Sequence, residues 1–204
     1  MQIEIWSDVI CPWCYIGKRR FEAALAQTGN RENIDIIWRS FELDPNAPGQ
    51  QPGTIRELLS HKYQVSLQEA DEMIARVTAQ AKGAGLEYRM DIAKRGNTFD
   101  AHRLIHFATG KQTGDEAIET IMHAYFCEGL AVCDPVALAK LAPRFGITEG
   151  EAMAMLDSDR YADAVRADES RAARFGISGV PFSVFDEKSG ISGAQPVEVF
   201  AEAL

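Results

Sequence analysis

The chain has little cysteine, no excess of basic residues and no long apolar run, and each shortage argues against a class of protein. Four cysteines in 204 residues are too few for a disulfide scaffold, so a closely spaced pair favours catalysis or metal binding over a structural bridge. The formal net charge of −9 argues against nucleic acid as a partner, because phosphate contacts need clustered cations. No apolar stretch approaches the ~20 residues that span a bilayer, and no basic amphipathic segment indicates binding to a membrane surface.

The first residues, Met1 to Asp8, show neither the basic segment nor the apolar segment of a secretory signal. We therefore expect a cytoplasmic protein. The hydrophobic content of 46% and the charged content of 25% are ordinary for a globular chain that can bury a core. No interface signature is readable, and the oligomeric state stays open.

The amino-terminal end alternates between strand and helix patterns. Gln2 to Trp6 alternates polar and apolar residues, which predicts a strand. Cys11-Pro12 opens a helical segment that runs to about Gln27 and stops at Thr28-Gly29-Asn30, and proline is well tolerated at the first helical position. Ile34 to Leu43, rich in Ile, Trp and Phe, predicts a second strand. Because two parallel strands need a crossover, these segments predict a βαβ unit.

The stretch from Thr54 to about Phe175 is predicted to be helical throughout. A capping box, in which a Ser or Thr and a Glu three residues later each bond the other's backbone N–H, is predicted at four starts: Thr54, Ser66, Thr113 and Thr148. Asp134-Pro135 supplies a further start. We predict six or seven helices here and no strand.

The carboxyl-terminal end returns to strand patterns. Val180 to Phe185 and Gly190 to Gly193 predict two short strands, and Gln195-Pro196 begins a last helix. The order β-α-β, helical block, β-β-α predicts an α/β fold with one small mixed sheet and a large all-helical insertion. The sheet domain is assigned to residues 1–50 and 176–204, and the inserted domain to residues 51–175.

The segment Cys11-Pro12-Trp13-Cys14 lies between the first predicted strand and the first turn of a predicted helix. Unpaired N–H groups and the helix dipole stabilise a thiolate there, and the thiolate is the species that attacks disulfides. Cys14 lies on the same helix face as Cys11 and can resolve a mixed disulfide. Pro12 stiffens the turn, and Trp13 is expected to cover the site or contact the substrate. We therefore predict a redox-active Cys11–Cys14 pair that needs no metal and no bound cofactor.

Two other interpretations of the pair stay open. It could be half of a zinc site completed by Cys127 and Cys133, although their C-x₅-C spacing is unusual for a zinc knuckle. The pair could also be two inert core thiols. A zinc-stabilised binding module is therefore an alternative to dithiol chemistry.

Gly179-Val180-Pro181-Phe182 directly precedes a predicted strand. A proline there belongs at a strand start or edge, because it cannot donate to a sheet ladder. With a cis peptide bond it would turn the Val180 backbone outward to pair with an extended substrate, although most X-Pro bonds are trans.

Four separated segments together resemble the DsbA-like family of thioredoxin-fold proteins, and most of all its FrnE-type cytoplasmic thiol-disulfide oxidoreductases. The segments are Ser7 to Arg19, Asn97 to Ile105, Gly179 to Phe182 and Ile191 to Pro196. The resemblance covers essentially the whole chain. It implies a thioredoxin fold with a helical insertion, which agrees with the predicted order of elements.

The resemblance also implies roles for individual residues. Cys11 would be the exposed nucleophile and Cys14 the resolving thiol. Pro181 would be a cis-proline facing them, with Val180 beside the substrate. The implied function is a thiol-disulfide oxidoreductase or isomerase acting on substrate proteins or small thiols and disulfides, with glutathione as a candidate co-substrate. The direction of electron flow depends on the reduction potential, which sequence does not reveal.

Kappa-class glutathione transferases and 2-hydroxychromene-2-carboxylate isomerases, which belong to the wider superfamily, have Ser in place of Cys11 and lack the pair. Because this chain keeps both sulfurs, dithiol chemistry is preferred. The region from Asn97 to His102 resembles these relatives, so a glutathione-dependent isomerase or transferase is the alternative function.

Four further residues are candidate auxiliaries. Cys127 and Cys133 flank a predicted turn whose ends could approach within the ~4.4–6.8 Å Cα separation of a disulfide, and they are either a second redox pair or small buried hydrophobic side chains. His102 could stabilise a thiolate or shuttle its proton. Asp8 could assist proton loss from Cys14 or cap the turn.

Overall fold

The protein is built around one four-stranded mixed sheet, described in a computed structural model that covers residues 1–29 and 31–204. The predicted helix stop at Asn30 therefore lies outside the described residues. The strands follow the order β2-β1-β3-β4, with β1 parallel to β2 and β3 antiparallel to both β1 and β4. They are β1 (Gln2–Ser7), β2 (Asp35–Ser40), β3 (Phe182–Phe185) and β4 (Ser189–Ser192). This confirms the predicted small mixed sheet and the amino-terminal βαβ unit.

Nine α-helices occur within the described residues, seven of them in the predicted helical block. They are α1 (Pro12–Thr28), α2 (Ile55–Tyr63), α3 (Leu67–Gly83), α4 (Phe99–Gly110), α5 (Gly114–His123), α6 (Pro135–Leu141), α7 (Glu149–Leu156), α8 (Ala162–Arg174) and α9 (Val197–Ala203). A π-helical segment, Ala124–Glu128, continues α5, and 3-10 turns occur at Arg31–Asn33 and Ala142–Phe145. Across these described ranges, no helix has the length and apolar content needed to cross a membrane.

Three of the four predicted capping boxes are present, and the one at Thr113 is wrong. At each of the three, the hydroxyl of the capping residue accepts a hydrogen bond from the backbone N–H of the Glu three residues later, and that Glu carboxylate accepts from the backbone N–H of the capping residue. The capping residues are Thr54, Ser66 and Thr148. Thr113 has φ −122° and ψ 26°, makes no capping bond and donates its hydroxyl to the Ala108 carbonyl 3.5 Å away. Its backbone lacks the extended conformation that a capping residue needs, because it is bonded back to the preceding helix.

Strand β2 is shorter than predicted, ending at Ser40 rather than Leu43. The Ser40 N–H donates to Asp168 Oδ2 at 2.9 Å and the Leu43 N–H to Asp8 Oδ2 at 2.8 Å. Side-chain carboxylates therefore take the place of ladder partners where the chain leaves the sheet. Neither partner is visible from the local strand pattern.

The two faces of β1 pack against different helices. Ile3 and Ile5 lie in an apolar cluster with residues of α1 and α9. Trp6, on the opposite face as period-2 alternation requires, is fully buried, and its indole N–H donates to the Asp168 carbonyl of α8 at 2.9 Å. Although α8 falls in the stretch assigned to the insertion, it lies on the sheet. The domain boundary near residue 175 stays a prediction.

Candidate active site

Cys11 lies at the end of the short connection between β1 and α1. It is the N-cap of the 17-residue helix α1, has an extended backbone (φ −82°, ψ 114°), and is followed by Pro12 at the first helical position. Its N–H donates to the Asp8 carbonyl at 3.1 Å, and its carbonyl accepts from the Cys14 N–H at 3.0 Å. The tight turn therefore places the Cys11 sulfur at the positive end of α1, as predicted.

The segment around Pro181 comes from the other end of the chain and faces Cys11. The Val180–Pro181 peptide bond is cis, as the family resemblance implies. The Cys11 thiol donates to the Val180 carbonyl oxygen 3.6 Å away, across 169 residues of sequence. Gly17 of α1 allows this approach, because a Cβ there would lie 3.1 Å from Pro181 Cγ.

The expectation that Cys11 is exposed is wrong for this conformation. Only 5% of Cys11 is accessible, because it packs in the apolar cluster that also holds Tyr88 and Val180. Trp13, by contrast, is 42% exposed. The surface beside the site is therefore an indole and not the sulfur itself.

Cys14 is the more deeply buried sulfur, with 1% of the residue exposed. Burial, followed by the adjacent Cys11 thiol, raises its pKa well above the usual range, while hydrogen bonds from the Asp8 backbone and the Ser7 hydroxyl act in the opposite direction. Cys14 is therefore a protonated thiol at neutral pH. For Cys14 to attack a disulfide, something must remove its proton.

Asp8 and His102 are brought together beneath the two cysteines. Asp8 is fully buried, and its Oδ1 lies 3.5 Å from His102 Nε2, while His102 is 3% exposed. The same carboxylate accepts from the Leu43 N–H at 2.8 Å. Asp8 therefore shapes the loop after β2 and also lies beside the histidine.

Tyr88 belongs to the site and was missed by sequence reasoning. Its hydroxyl donates to the Pro12 carbonyl at 2.7 Å, and its ring stacks on Phe126 with centroids 4.4 Å apart. Burial raises the pKa of Tyr88, and charge on Cys11 would raise it further. Tyr88 precedes α4 in a segment with no helical or strand periodicity, so no local signal indicated it.

Lys18 is a second residue near the site whose burial the sequence did not indicate. One turn beyond Cys14, it is only 3% exposed and pairs with Glu22 on its own helix and with Glu119 of α5, the latter at 2.9 Å. The Tyr15 hydroxyl donates to the same Glu119 at 2.5 Å. This network joins α1 to the helical block and holds the helix that carries both cysteines.

Cys127 and Cys133 lie in different surroundings. Cys127 is half-buried in the π-helical segment, where burial and then the Glu128 carboxylate raise its pKa. Cys133 is half-buried in the next loop, where burial also raises its pKa, and its sulfur occupies the space a Cβ on Gly96 would need. All four cysteines are free thiols. A redox role for this second pair stays a prediction.

The alternative of a zinc site has no support in the arrangement of the described side chains. Over residues 1–29 and 31–204, no three or more His, Cys, Asp or Glu side chains are grouped to hold a metal ion. Cys127 and Cys133 therefore do not complete a zinc site with the first pair in this structure.

Solved structures resemble this chain along nearly its whole length, and three of them span a wide range of sequence identity. The probable DsbA oxidoreductase SCO1869 from Streptomyces coelicolor superposes with a TM-score of 0.96 at 42% identity, covering 100% of this chain and 88% of that one. A 2-hydroxychromene-2-carboxylate isomerase superposes at 0.75 with 14% identity, covering 100% and 94%. The cytosolic disulfide reductase DsbM from Pseudomonas aeruginosa, solved with GSH, superposes at 0.66 with 16% identity, covering 99% and 96%.

The last two likenesses, at such low identity, show the fold alone. The first combines high identity with nearly complete coverage of both chains. The sequence model of the family of DSBA-like thioredoxin domains matches residues 2–204. This range is nearly the whole chain and includes all four cysteines. The chain therefore belongs to the family of DSBA-like thioredoxin domains.

Proposed function

We propose that this protein is a thiol-disulfide oxidoreductase in which Cys11 attacks and Cys14 resolves. The observation that carries the proposal is the position of Cys11, which caps α1 with its sulfur 3.6 Å from the Val180 carbonyl. A helix amino terminus stabilises the thiolate. The backbone before Pro181 lies beside the same sulfur, where an extended substrate segment would dock.

The reaction balances within this pair. The Cys11 thiolate attacks one substrate sulfur and bonds to it in a mixed disulfide, the substrate disulfide breaks, and the other substrate sulfur leaves as a thiolate. Cys14 loses its proton and attacks Cys11, the mixed disulfide breaks, and the second substrate thiolate leaves. Two electrons pass from the protein dithiol to the substrate, and a Cys11–Cys14 disulfide forms. Running the steps in reverse oxidises a substrate dithiol.

The substrate surface in this proposal is built from Trp13 and the backbone of Val180, with Pro12 and Pro181 holding the turn on either side. Trp13 is the exposed large side chain next to the sulfur, and an indole supplies contact area at low cost in conformational entropy. We propose protein or small-molecule disulfides as substrates. A monothiol such as glutathione would return the pair to its reduced form.

A cytoplasmic reductase or isomerase fits this proposal better than a dedicated oxidant. The likeness to DsbM, described as a cytosolic disulfide reductase, supports this at the level of the fold. The FrnE-type branch of the family stays a prediction.

The reduction potential of the Cys11/Cys14 pair, measured in glutathione buffers, tests the direction of electron flow. We expect a value near that of thioredoxin, about −270 mV, whereas a dedicated oxidant lies near −120 mV. The matched variant Cys11→Ser must lose insulin-reducing activity. If Cys11→Ser reduces insulin as fast as the unmodified protein, the proposal is wrong.

The glutathione-dependent isomerase is the second candidate, because the isomerase fold superposes on the whole of this chain. Dithiol exchange needs both Cys11 and Cys14, whereas isomerisation needs only a glutathione site. The alternative would be favoured if the Cys11→Ser variant isomerised 2-hydroxychromene-2-carboxylate with glutathione. We expect no such activity.

A further inference from the structure

Arg20 joins three parts of the molecule near the cysteine pair. It lies on α1, and its guanidinium Nη1 donates to the carbonyl oxygen of Ala194 at 2.5 Å. The other terminal nitrogen, Nη2, donates to Gln80 Oε1 of α3 at 2.7 Å. A guanidinium is a rigid planar group with five N–H donors, so the two bonds together fix its orientation. Arg20 therefore connects the helix that carries both cysteines to the segment after β4 and to the helical block.

The loop after β4 (residues 193–195) is bonded to the backbone segment that faces Cys11. The Gly193 N–H donates to the Pro181 carbonyl at 2.8 Å, and the carbonyl of the preceding residue, Val180, accepts from the Cys11 thiol. Among the described strands, β4 has a neighbour on one side only, which is β3. The sheet therefore supports this loop from one side, and the position of the loop affects where the Val180 carbonyl lies relative to the Cys11 sulfur.

The same loop packs on the face of α1 that carries Gly17 and Arg20. These two residues are three positions apart, so they lie on one face of the helix. A Cβ on Gly17 would lie 3.1 Å from Pro181 Cγ and 3.5 Å from Ala194 Cβ, which places the proline and the loop side by side on the helix. The glycine permits this close approach, and the bond from Arg20 to the Ala194 carbonyl holds the loop in it.

We propose that Arg20 is a positioning residue for substrates that dock through their peptide backbone. This inference rests on the proposed function and deepens it, because it names extended polypeptide disulfides as the substrate class that depends on Arg20. By holding the loop after β4, Arg20 keeps the backbone of Val180 and Pro181 beside Cys11, where an extended segment can pair with it through main-chain hydrogen bonds. A small disulfide without a peptide backbone needs only the Cys11 sulfur and does not depend on Arg20.

A bond from Arg20 that served only the stability of the fold would have a different effect. Its loss would lower the melting temperature and would slow the reduction of every disulfide to the same degree. A positioning role separates two classes of substrate instead, because the docking backbone contributes binding free energy only to a substrate that pairs with it. The comparison of a polypeptide disulfide with a small disulfide therefore distinguishes the two roles.

Steady-state reduction of insulin and of hydroxyethyl disulfide, which has no peptide bond, provides this comparison. For Arg20→Ala we expect kcat/KM for insulin to fall about tenfold, mainly through a higher KM, because the displaced backbone binds the polypeptide less well. The kcat/KM for hydroxyethyl disulfide should stay unchanged. Arg76→Ala removes an exposed guanidinium from α3; it is the matched control and should leave both values unchanged.

Milder variants test the two bonds of the guanidinium separately. Arg20→Lys supplies a point charge rather than a planar fork, so its kcat/KM for insulin should lie between those of Arg20→Ala and the unmodified protein. Gln80→Ala should lower this value less than Arg20→Ala does, because the bond to the Ala194 carbonyl remains. Gln80→Glu keeps an acceptor oxygen and should recover what Gln80→Ala loses. These variants decide the question if Arg20→Ala does not fold.

Amide hydrogen exchange measures the positioning itself, without any substrate. The Gly193 N–H reports on the bond between the loop and the Pro181 carbonyl, and the Asp186 N–H, which donates to the Gln2 carbonyl at 2.9 Å beyond the other end of β3, is the control. In Arg20→Ala we expect faster exchange at Gly193 and unchanged exchange at Asp186. Equal exchange of Gly193 in the two proteins would show that the loop holds its position without Arg20 and would overturn the proposal.

The outcomes separate the role of Arg20 from the proposed function. If the unmodified protein reduces neither insulin nor hydroxyethyl disulfide, the proposed function fails, and the role of Arg20 fails with it. If it reduces hydroxyethyl disulfide alone, or if Arg20→Ala reduces insulin at the normal rate, the proposed function stands and only the role of Arg20 is wrong. Equal losses for both substrates, together with a lower melting temperature, would assign Arg20 to stability and also contradict the proposal.

Discussion

Cys11 and Cys14 lie at the amino-terminal end of α1, whereas Cys127 lies near the carboxyl-terminal end of a π-helical segment and Cys133 in the loop beyond it. The first position faces unpaired N–H groups, which favour a thiolate. Cys127 has the Glu128 carboxylate next to it, which disfavours one. The helix end at Cys11 and the carboxylate beside Cys127 therefore have opposite electrostatic effects on a thiolate.

The two pairs also differ in what lies opposite them. The Val180 carbonyl faces the Cys11 sulfur, and this leaves a backbone edge beside the reactive atom. The Cys133 sulfur packs over Gly96, where no Cβ would fit. Dithiol chemistry needs a sulfur at the amino terminus of a helix and, beside it, a backbone segment on which a substrate can dock. Among the described residues, only the pair Cys11 and Cys14 has both.

The largest expected effect comes from removing each pair in turn. Cys11→Ser should lower insulin reduction to the rate without protein, because no other thiol takes its place at a helix amino terminus. The double variant Cys127→Ser/Cys133→Ser should reduce insulin at the normal rate. Loss of activity in the double variant would instead establish the second pair as an auxiliary redox centre.

Alkylation by iodoacetamide, followed by mass spectrometry over a range of pH, compares the thiols directly. The raised pKa values of Cys127 and Cys133 mean that their thiolates are scarce at pH 7 and grow about tenfold per pH unit as the pH rises. Their labelling should therefore be slow at pH 7 and fast only above pH 9. Fast labelling of either one at pH 7 would contradict the surroundings described for it.

Cys14 should resist alkylation at every pH at which the protein stays folded. Its pKa is raised by burial, and its sulfur is also covered, so both the thiolate and the access are lacking. Labelling after unfolding in guanidinium is the control. Labelling of native Cys14 at neutral pH would show that the site opens more than this structure indicates.

Gly17→Ala tests whether only the first pair depends on the Pro181 segment. Alanine favours the helix by up to about 1 kcal/mol over glycine, but its Cβ would lie 3.1 Å from Pro181 Cγ and push that segment away. We expect a several-fold lower kcat/KM for insulin reduction, a melting temperature close to normal, and unchanged alkylation of Cys127. An unaltered kcat/KM would show that the segment tolerates the displacement.

Glu128→Gln should have the smallest effect, because the carboxylate is exposed and screened by solvent. Removing it lowers the pKa of Cys127, so alkylation at pH 8 should speed up about twofold. Glu149→Gln, at another exposed site, is the control. Slower labelling in Glu128→Gln would mean that its ion pairs with Arg144 and His123 protect the segment in a different way.

Local chemistry determined much of this protein in advance. Several signals depend only on residues within about four positions of one another. They are the alternation in Gln2 to Trp6, Pro12 after Cys11, and the helix caps at Thr54, Ser66 and Thr148. For this reason, the order of strands and helices and the position of the cysteine pair could be predicted from the sequence. Thr113 was the exception, because a bond to the preceding helix overrode its cap.

Contacts between distant segments were decided only by the tertiary structure. The place of Tyr88 in the site and the pairing of Asp8 with His102 each join segments far apart in the chain. The approach of Val180 to Cys11 does so too, and before the structure only the family resemblance implied it. Burial follows from the same packing, which is why Cys11 is covered rather than exposed. Spacing along the sequence placed the two sulfurs at a helix start, and long-range packing determined what surrounds them.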